Sequence, residues 1–154
     1  MAVEIKKAGI EDIPDAAPLF DGYLIFYKQE SDIKAAAHFL RERITKKESA
    51  IFIAYVNEIP VGFCQLYPLF SSVGMQRTWL LNDLYVHASA RKQGVAKQLL
   101  EAAKQYGTTN NAKWLLLQTG NDNFAAQSVY EKNGWKRVAD YFYELPLQQQ
   151  APVL

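Results

Sequence analysis

One cysteine, Cys64, stands among 154 residues, so no intramolecular disulfide can form and no CxxC or Cys/His cluster offers itself to a structural metal. This scarcity excludes a disulfide-stapled secreted scaffold and leads to the expectation of a reducing, cytoplasmic setting and no metal. Charge of one sign is equally scarce. The 17 Lys+Arg nearly cancel 16 Asp+Glu and leave a net charge of +1, without the basic surplus of a dedicated nucleic-acid binder. No apolar run approaches the roughly 20 residues that cross a bilayer, and Met1 to Gly9 carries Glu4, Lys6 and Lys7 where a signal core would be apolar. The expectation is a protein with no membrane and no nucleic-acid partner. Repeats of fixed period are lacking, and the one biased segment is Gln148-Gln149-Gln150-Ala151-Pro152. Residues 148–154 are therefore expected to be a disordered tail behind a single domain of residues 1–147.

What is present is ample material for a core, with 49% hydrophobic and 13% aromatic residues. Val3-Glu4-Ile5-Lys6 alternates as a half-buried strand does, and Asp12, Pro14, Asp15 and Pro18 then mark a helix entry. Phe20, Tyr23, Leu24, Phe26 and Tyr27 recur at helical spacing. Ser31-Asp32 caps a second helix whose face carries Ile33, Ala36, Ala37, Leu40 and Ile44. Residues 50–56 and 60–67 read as a β-hairpin turning at Asn57-Glu58, and residues 78–86 as a third long strand. Val95, Leu99, Leu100, Ala103 and Tyr106 follow a helical period from about Lys92 until Gly107, which is placed to stop it. A strand over 114–119, a helix from Asn123 to Asn133 ended by Gly134, and closing strands over 135–145 complete the chain. The sum is an α+β, three-layer α/β/α fold on a mixed, mostly antiparallel sheet. One parallel βαβ unit, 78–86 with 92–106 and 114–119, should open the ligand crevice at its carboxyl ends.

The sharpest chemical signal is Arg91-Lys92-Gln93-Gly94-Val95-Ala96-Lys97. Small residues before a helix let a ligand approach the backbone, the fresh helix N-terminus points unpaired N–H groups outward, and Arg91 and Lys92 add positive charge. That suits a pyrophosphate, and equally describes an ordinary strand-to-helix turn with solvated basic residues. GxxxxGK[ST] and GxGxxG are both missing, which removes support for nucleotide hydrolysis and hydride transfer.

Arg91-x-x-Gly94-x-Ala96 resembles the (Q/R)xxGx(G/A) coenzyme A loop of the GNAT superfamily of N-acetyltransferases. Upstream, Leu81-Asn82-Asp83-Leu84-Tyr85-Val86 is similar to that family's splayed fourth strand. Downstream, Asn123-x-x-Ala126-x-x-x-Tyr130-x-x-x-Gly134-Trp135 resembles its NxxAxxxYxxxG(F/W) segment. The resemblance implies acetyl-CoA as co-substrate, its pyrophosphate on the amides of Lys92, Gln93, Gly94, Val95, Ala96 and Lys97 beside Arg91. Its pantetheine would lie like an added strand along Leu84, Tyr85 and Val86, with Asn123 also on the cofactor side. Tyr130 then corresponds to the general acid that protonates the departing sulfur, and a backbone N–H near Val86 would polarise the thioester carbonyl.

Relatives often carry a glutamate on the fourth strand. Here the alternation of side chains puts Leu80, Asn82 and Leu84 on that face, with no carboxylate among them. Three routes for the amine's proton stay open: a water held by Asn82, bulk water, or Asp83, which points to the opposite face unless a bulge turns it inward. Tyr23 and Tyr27 share one helical face and, with Asn82 and Asp83, are the candidate acceptor contacts, although an aromatic stripe at this spacing also reads as core. Asp21, Glu30 and Asp32 flank that region and either attract a cationic amine or are simply solvated. The expected reaction is direct transfer of acetyl to a primary amine in a ternary complex. The segment Phe26-Tyr27 before the second helix, joined to Asn82-Asp83-Leu84-Tyr85-Val86, is similar to the branch acting on polyamines and other small amines. A coenzyme A-binding sensor and an acetyltransferase of protein amines are the alternatives. A homodimer through edge strands near Tyr141 to Leu147 is expected from the family's habit.

Overall fold

The computed structural model describes residues 2–148. Its sheet has five strands in the order β1 (Val3–Lys7), β2 (Ala50–Val56), β3 (Ile59–Ser71), β4 (Gln76–Val86) and β5 (Leu115–Leu117). The first four pair antiparallel as neighbours, and β5 joins β4 in parallel after a helical crossover. Asn57 and Glu58 both take positive φ, the geometry of a tight turn whose twist suits the β2–β3 hairpin.

Helices α1 (Ile13–Phe26) and α2 (Ile33–Thr45) cover one face of the sheet, with Leu19, Phe20 and Leu40 packed on Ile51, Ile53 and Phe63. Helix α3 (Val95–Thr109) covers the other, where Val95, Leu99 and Ala103 meet Phe52, Cys64, Leu66 and Leu81. Tyr130 and Trp135, in and just after α4 (Phe124–Lys132), rest against that second cluster. The mixed three-layer architecture expected from the sequence is the one observed.

Local chemistry explains the helix starts and stops. Pro14 sits in the first turn of α1, where its missing N–H costs nothing. The Asp32 carboxylate accepts from the amide of Ala35 and caps α2, as expected. Gly134 follows α4 at φ +90°, a left-handed conformation that suits glycine at a helix end. Asp21 is buried rather than solvated, and its two oxygens accept from Ser31 Oγ at 2.7 Å and the Asp32 amide at 2.8 Å. It therefore staples the α1–α2 loop against α1, with both oxygens engaged inside the fold.

Four expectations are corrected. The helix expected from Lys92 begins at Val95, because Lys92 and Gly94 both adopt positive φ and residues 91–94 form a turn and bend. Gly107 does not stop α3. It lies buried inside the helix, where the absent side chain makes room for Leu115, 3.0 Å from where a Cβ would stand. The strand expected over 114–119 is only three residues long. The closing strands expected over 135–145 are missing, since no described residue beyond Leu117 is in a strand. A three-residue edge strand offers too short a ladder, so Tyr141, Phe142, Tyr143, Leu145 and Leu147 stay 72 to 95% exposed. A cavity of about 1020 Å³ along the outer edge of β5 occupies the ground where those strands were expected. Of the tail expected over 148–154, only Gln148 lies within the described residues.

Asp21→Ala is expected to lower the unfolding free energy by about 2 kcal/mol, the usual cost of removing a buried charged acceptor from its donors. Urea denaturation measures it, and an unchanged midpoint would remove the staple from the account.

Candidate active site

Leu66 pairs with Leu81 while Gln65 pairs with Asp83, so Asn82 is an extra residue with no partner on β3. A bulge of this kind reverses which face the following side chains occupy. Trp79 and Leu81 before it pack on the α3 side, and Leu84 and Val86 after it pack there too. Asp83 and Tyr85 consequently turn to the α1–α2 side, where Tyr85 joins Phe63 and Tyr23. The expected face of Leu80, Asn82 and Leu84 is thus overturned: the face carries Leu80, Asp83 and Tyr85, and a carboxylate is on it. Asn82 is exposed at the bulge itself.

The same bulge marks where the sheet opens. β5 pairs with Trp79, Leu80 and Leu81 and no further, so, among the described residues, positions 82–86 have β3 on one side and no strand on the other. This unpaired backbone edge leads to the Arg91–Lys97 loop. There Arg91 Nε donates to the Val86 carbonyl at 3.0 Å, and Gln93 Nε2 to the Ser89 carbonyl. Gly94 is the N-cap of α3 at φ +80° and supplies no side-chain cap, and a Cβ built on it would meet nothing within 4 Å. The first amides of a four-turn helix therefore face open space beside Arg91, Lys92 and Lys97, an arrangement fitted to a phosphate group. Val95 offers only its backbone to this space, since its side chain is core. Ala96 is half-buried and bulks little over the loop.

Asp83 is 2% exposed, and each of its oxygens has an amide donor. Gln65 Nε2 donates to Oδ2 and Asn82 Nδ2 to Oδ1 at 2.8 Å. Burial pushes its carboxyl above the usual range, while the bonds from Gln65, Asn82 and Tyr23 pull it back. Tyr23 is half-buried, its hydroxyl reaches the Asn82 carbonyl at 3.4 Å, and burial and the Asp83 charge raise its phenol. Tyr27 is exposed and packs on Tyr23 with ring centroids 4.9 Å apart. Tyr130 is raised by burial and, second, by Tyr27, so it remains a protonated phenol at neutral pH. The structure thus brings Tyr23, Tyr27, Asn82 and Asp83 together, with Tyr130 on the α3 side but near enough to Tyr27 to feel it electrostatically.

Asn123 stands apart from the others in role. Its oxygen caps α4 by accepting from the Ala126 amide at 3.3 Å, which orients the helix that carries Tyr130. Two residues of the site escaped sequence reasoning. Gln65 and Tyr67 lie on the Asp83 face of β3, and the available signal was a polar side chain inside the apolar run Phe63-Cys64-Gln65-Leu66. Cys64 faces the other way, toward α3, with burial pushing its thiol up to about 12. Among the described residues, no three His, Cys, Asp or Glu side chains come together as a metal site. No helix there is long and apolar enough to cross a membrane.

A raised carboxyl makes stability depend on pH in a definite sense. The folded state binds the Asp83 proton more tightly than the unfolded chain, so the burial penalty is absent below about pH 4 and grows as pH rises through the folded value. Asp83→Asn removes that penalty. Its stability relative to the parent should climb as pH rises from about pH 4 through the folded value in paired urea titrations, and a gap constant with pH would contradict the burial of a charge here.

Known proteins resemble this chain in sequence and fold. Residues 16–135 match the acetyltransferase (GNAT) family. An uncharacterized N-acetyltransferase of Bacillus subtilis is 47% identical over 134 residues, spanning 87% of this chain and 90% of that protein. A probable acetyltransferase of Haemophilus influenzae is 30% identical over 135 residues, with the same two shares. The crystal structure of a probable acetyltransferase superposes with a TM-score of 0.90 at 40% identity, covering 96% of this chain and 99% of that one. An aminoglycoside N-acetyltransferase solved with CoA shares the fold at a TM-score of 0.80 and 20% identity, over 95% of each chain. A family match spanning the bulged strand, the Gly94 loop and the Tyr130 helix makes this chain a member of the acetyltransferase (GNAT) family, an acetyl-CoA-dependent N-acetyltransferase.

Proposed function

We propose that the enzyme passes acetyl from acetyl-CoA directly to the primary amine of a small diamine, polyamine or amino-acid-like acceptor. The observation that carries this reading is the bulge at Asn82, which opens a backbone edge on one side of β4 and turns a buried carboxylate toward the other. In this reading the pyrophosphate lies on the amides following Gly94, and the pantetheine arm bonds along residues 84–86. An amide near Val86 polarises the carbonyl. The neutral amine nitrogen attacks the thioester carbon, the C–S bond breaks, and the Tyr130 hydroxyl gives its proton to the leaving thiolate. Asp83, in place of Asn82, receives the proton the amine sheds. A carboxyl raised by burial is closer to the working pH of a base than an ordinary aspartate.

A small acceptor is supported by the wall that surrounds Asp83. The rings of Tyr23 and Tyr27 suit an alkylammonium, and Asp21 is committed to the loop and so does not compete for it. Two further relatives point the same way by name. They are an aminoglycoside N(6′)-acetyltransferase of Salmonella typhimurium, 27% identical over 56% of this chain, and a thialysine N-epsilon-acetyltransferase of Caenorhabditis elegans, 29% identical over 65%.

Thiol release from acetyl-CoA against a panel of polyamines, amino acids, aminoglycosides and lysine peptides tests the reaction and the acceptor together. Tyr130→Phe should lower kcat about 100-fold while leaving the coenzyme A Kd within about threefold. Gly94→Val should do the reverse, weakening coenzyme A about tenfold through strain at a positive φ. Coenzyme A binding with no thiol release from any amine would favour the sensor reading instead.

The exposed Tyr141, Phe142, Tyr143, Leu145 and Leu147 support a homodimer in which this segment of each copy is covered by the other. Deleting residues 139–154 should then convert a dimer to a monomer in sedimentation velocity. A parent protein that already sediments as a monomer would remove the dimer from the proposal.

A further inference from the structure

Gln65 is the polar side chain that the proposed chemistry leaves unused. It is 0% exposed, on a strand otherwise apolar at this depth, and it sits directly opposite Asp83 in the β3–β4 register. Its Nε2 donates to Asp83 Oδ2, and its buried Oε1 has no hydrogen-bond partner among the described residues. An amide buried for its own satisfaction would have both ends bonded. Here only the end facing Asp83 is engaged.

That asymmetry has a chemical consequence. A carboxylate can only accept hydrogen bonds, whereas a carboxylic acid has a proton to donate, and a primary amide carries a donor and an acceptor on one rotor. Because Oε1 is unbonded, turning the amide by half a rotation breaks no hydrogen bond other than the one to Asp83. With Asp83 ionised, Nε2 donates to Oδ2. With Oδ2 protonated, the same side chain presents Oε1 and accepts the O–H. Asn82, exposed at the bulge, holds Oδ1 from the other side and keeps the carboxyl in place while the amide turns.

We infer that Gln65 is a positioning residue that follows the protonation of Asp83 by reversing its amide, so that the buried carboxyl keeps a hydrogen bond before and after it takes the proton from the acceptor amine. The inference rests on Asp83 being the proton acceptor. The proton leaves the amine nitrogen for Oδ2 and returns to solvent once the product has gone. The groups facing Asp83 are Tyr23 from α1 and Tyr67 from β3, with Tyr27 behind Tyr23 and the Arg43 guanidinium of α2 beside Tyr67, while Cys64 feels the Asp83 charge from the opposite face of β3. Burial raises Tyr23, Tyr67 and Cys64, so none of these three exchanges a proton with Asp83 near neutrality.

Carbon-13 NMR of the Asp83 carboxyl, identified by its loss in Asp83→Asn, reads this pair without any acceptor. In Gln65→Leu the Asp83 midpoint should rise by about one pH unit, since a charge-assisted bond to the ionised form is lost. Gln65→Met, closer in shape, should do the same if the leucine variant folds poorly. In the parent, the Gln65 side-chain amide nitrogen should shift with the same midpoint as Asp83. An Asp83 midpoint unmoved in both variants, or a Gln65 amide that ignores the titration, overturns the inference. The acid limb of kcat/KM should move upward with the NMR midpoint in Gln65→Leu while the KM for acetyl-CoA stays put. An NMR shift with no change in that limb would leave the Gln65–Asp83 pair standing and remove Asp83 from the base role.

Discussion

The insertion of Asn82 into β4 is the constraint on which the rest of the site depends. Strand side chains alternate, so one extra residue changes the parity of everything after it. Leu81 and Leu84 can then both reach the α3 side, three positions apart, while Asp83 and Tyr85 reach the α1–α2 side. The bulge also ends the pairing of β4 with β5 at Leu81. A single local irregularity therefore creates the open backbone edge on one flank and delivers the carboxylate to the other.

The two faces of the sheet divide the labour accordingly. On the α3 side, Val95 and Leu99 anchor the helix in the core and leave Gly94 and the first amides facing outward. Anchoring those amides fixes the direction of the helix dipole, which is what an anion reads. On the α1–α2 side, Phe20, Tyr23 and Phe63 pack as an aromatic layer beside Asp83. Gly22 contributes by absence, since a Cβ there would stand 2.8 Å from the Tyr85 hydroxyl. Enclosure by rings disfavours the ionised form, and the donors from Gln65, Asn82 and Tyr23 offset part of that burial, leaving the carboxyl raised.

Much of the scaffold was legible in the residues because it follows from local rules. The Asn57-Glu58 turn, the Asp32 cap and the Gly134 stop each depend on a few neighbouring positions, and each is present. The long strands and amphipathic helices likewise reveal themselves by period. Errors arose where a segment needed a distant partner. Residues 135–145 have strand-like composition, but composition alone makes no ladder, and the short β5 gives them little to pair with. Gly107, legible as a stop, is instead the space that Leu115 fills from across the crossover.

The amino-acid sequence by itself determined the order of elements, the mixed sheet, the Gly94 loop at a helix start and the motif that carries Tyr130. All of these are set by spacing along one chain. Only the tertiary structure decided that Asp83, rather than Asn82, faces the aromatic wall, and that Gln65 lies against it. Alternation along β4 assigns faces correctly as long as every residue has a partner. Whether one residue is skipped depends on the register with β3, and that register is settled by how the two strands pack between α1, α2 and α3.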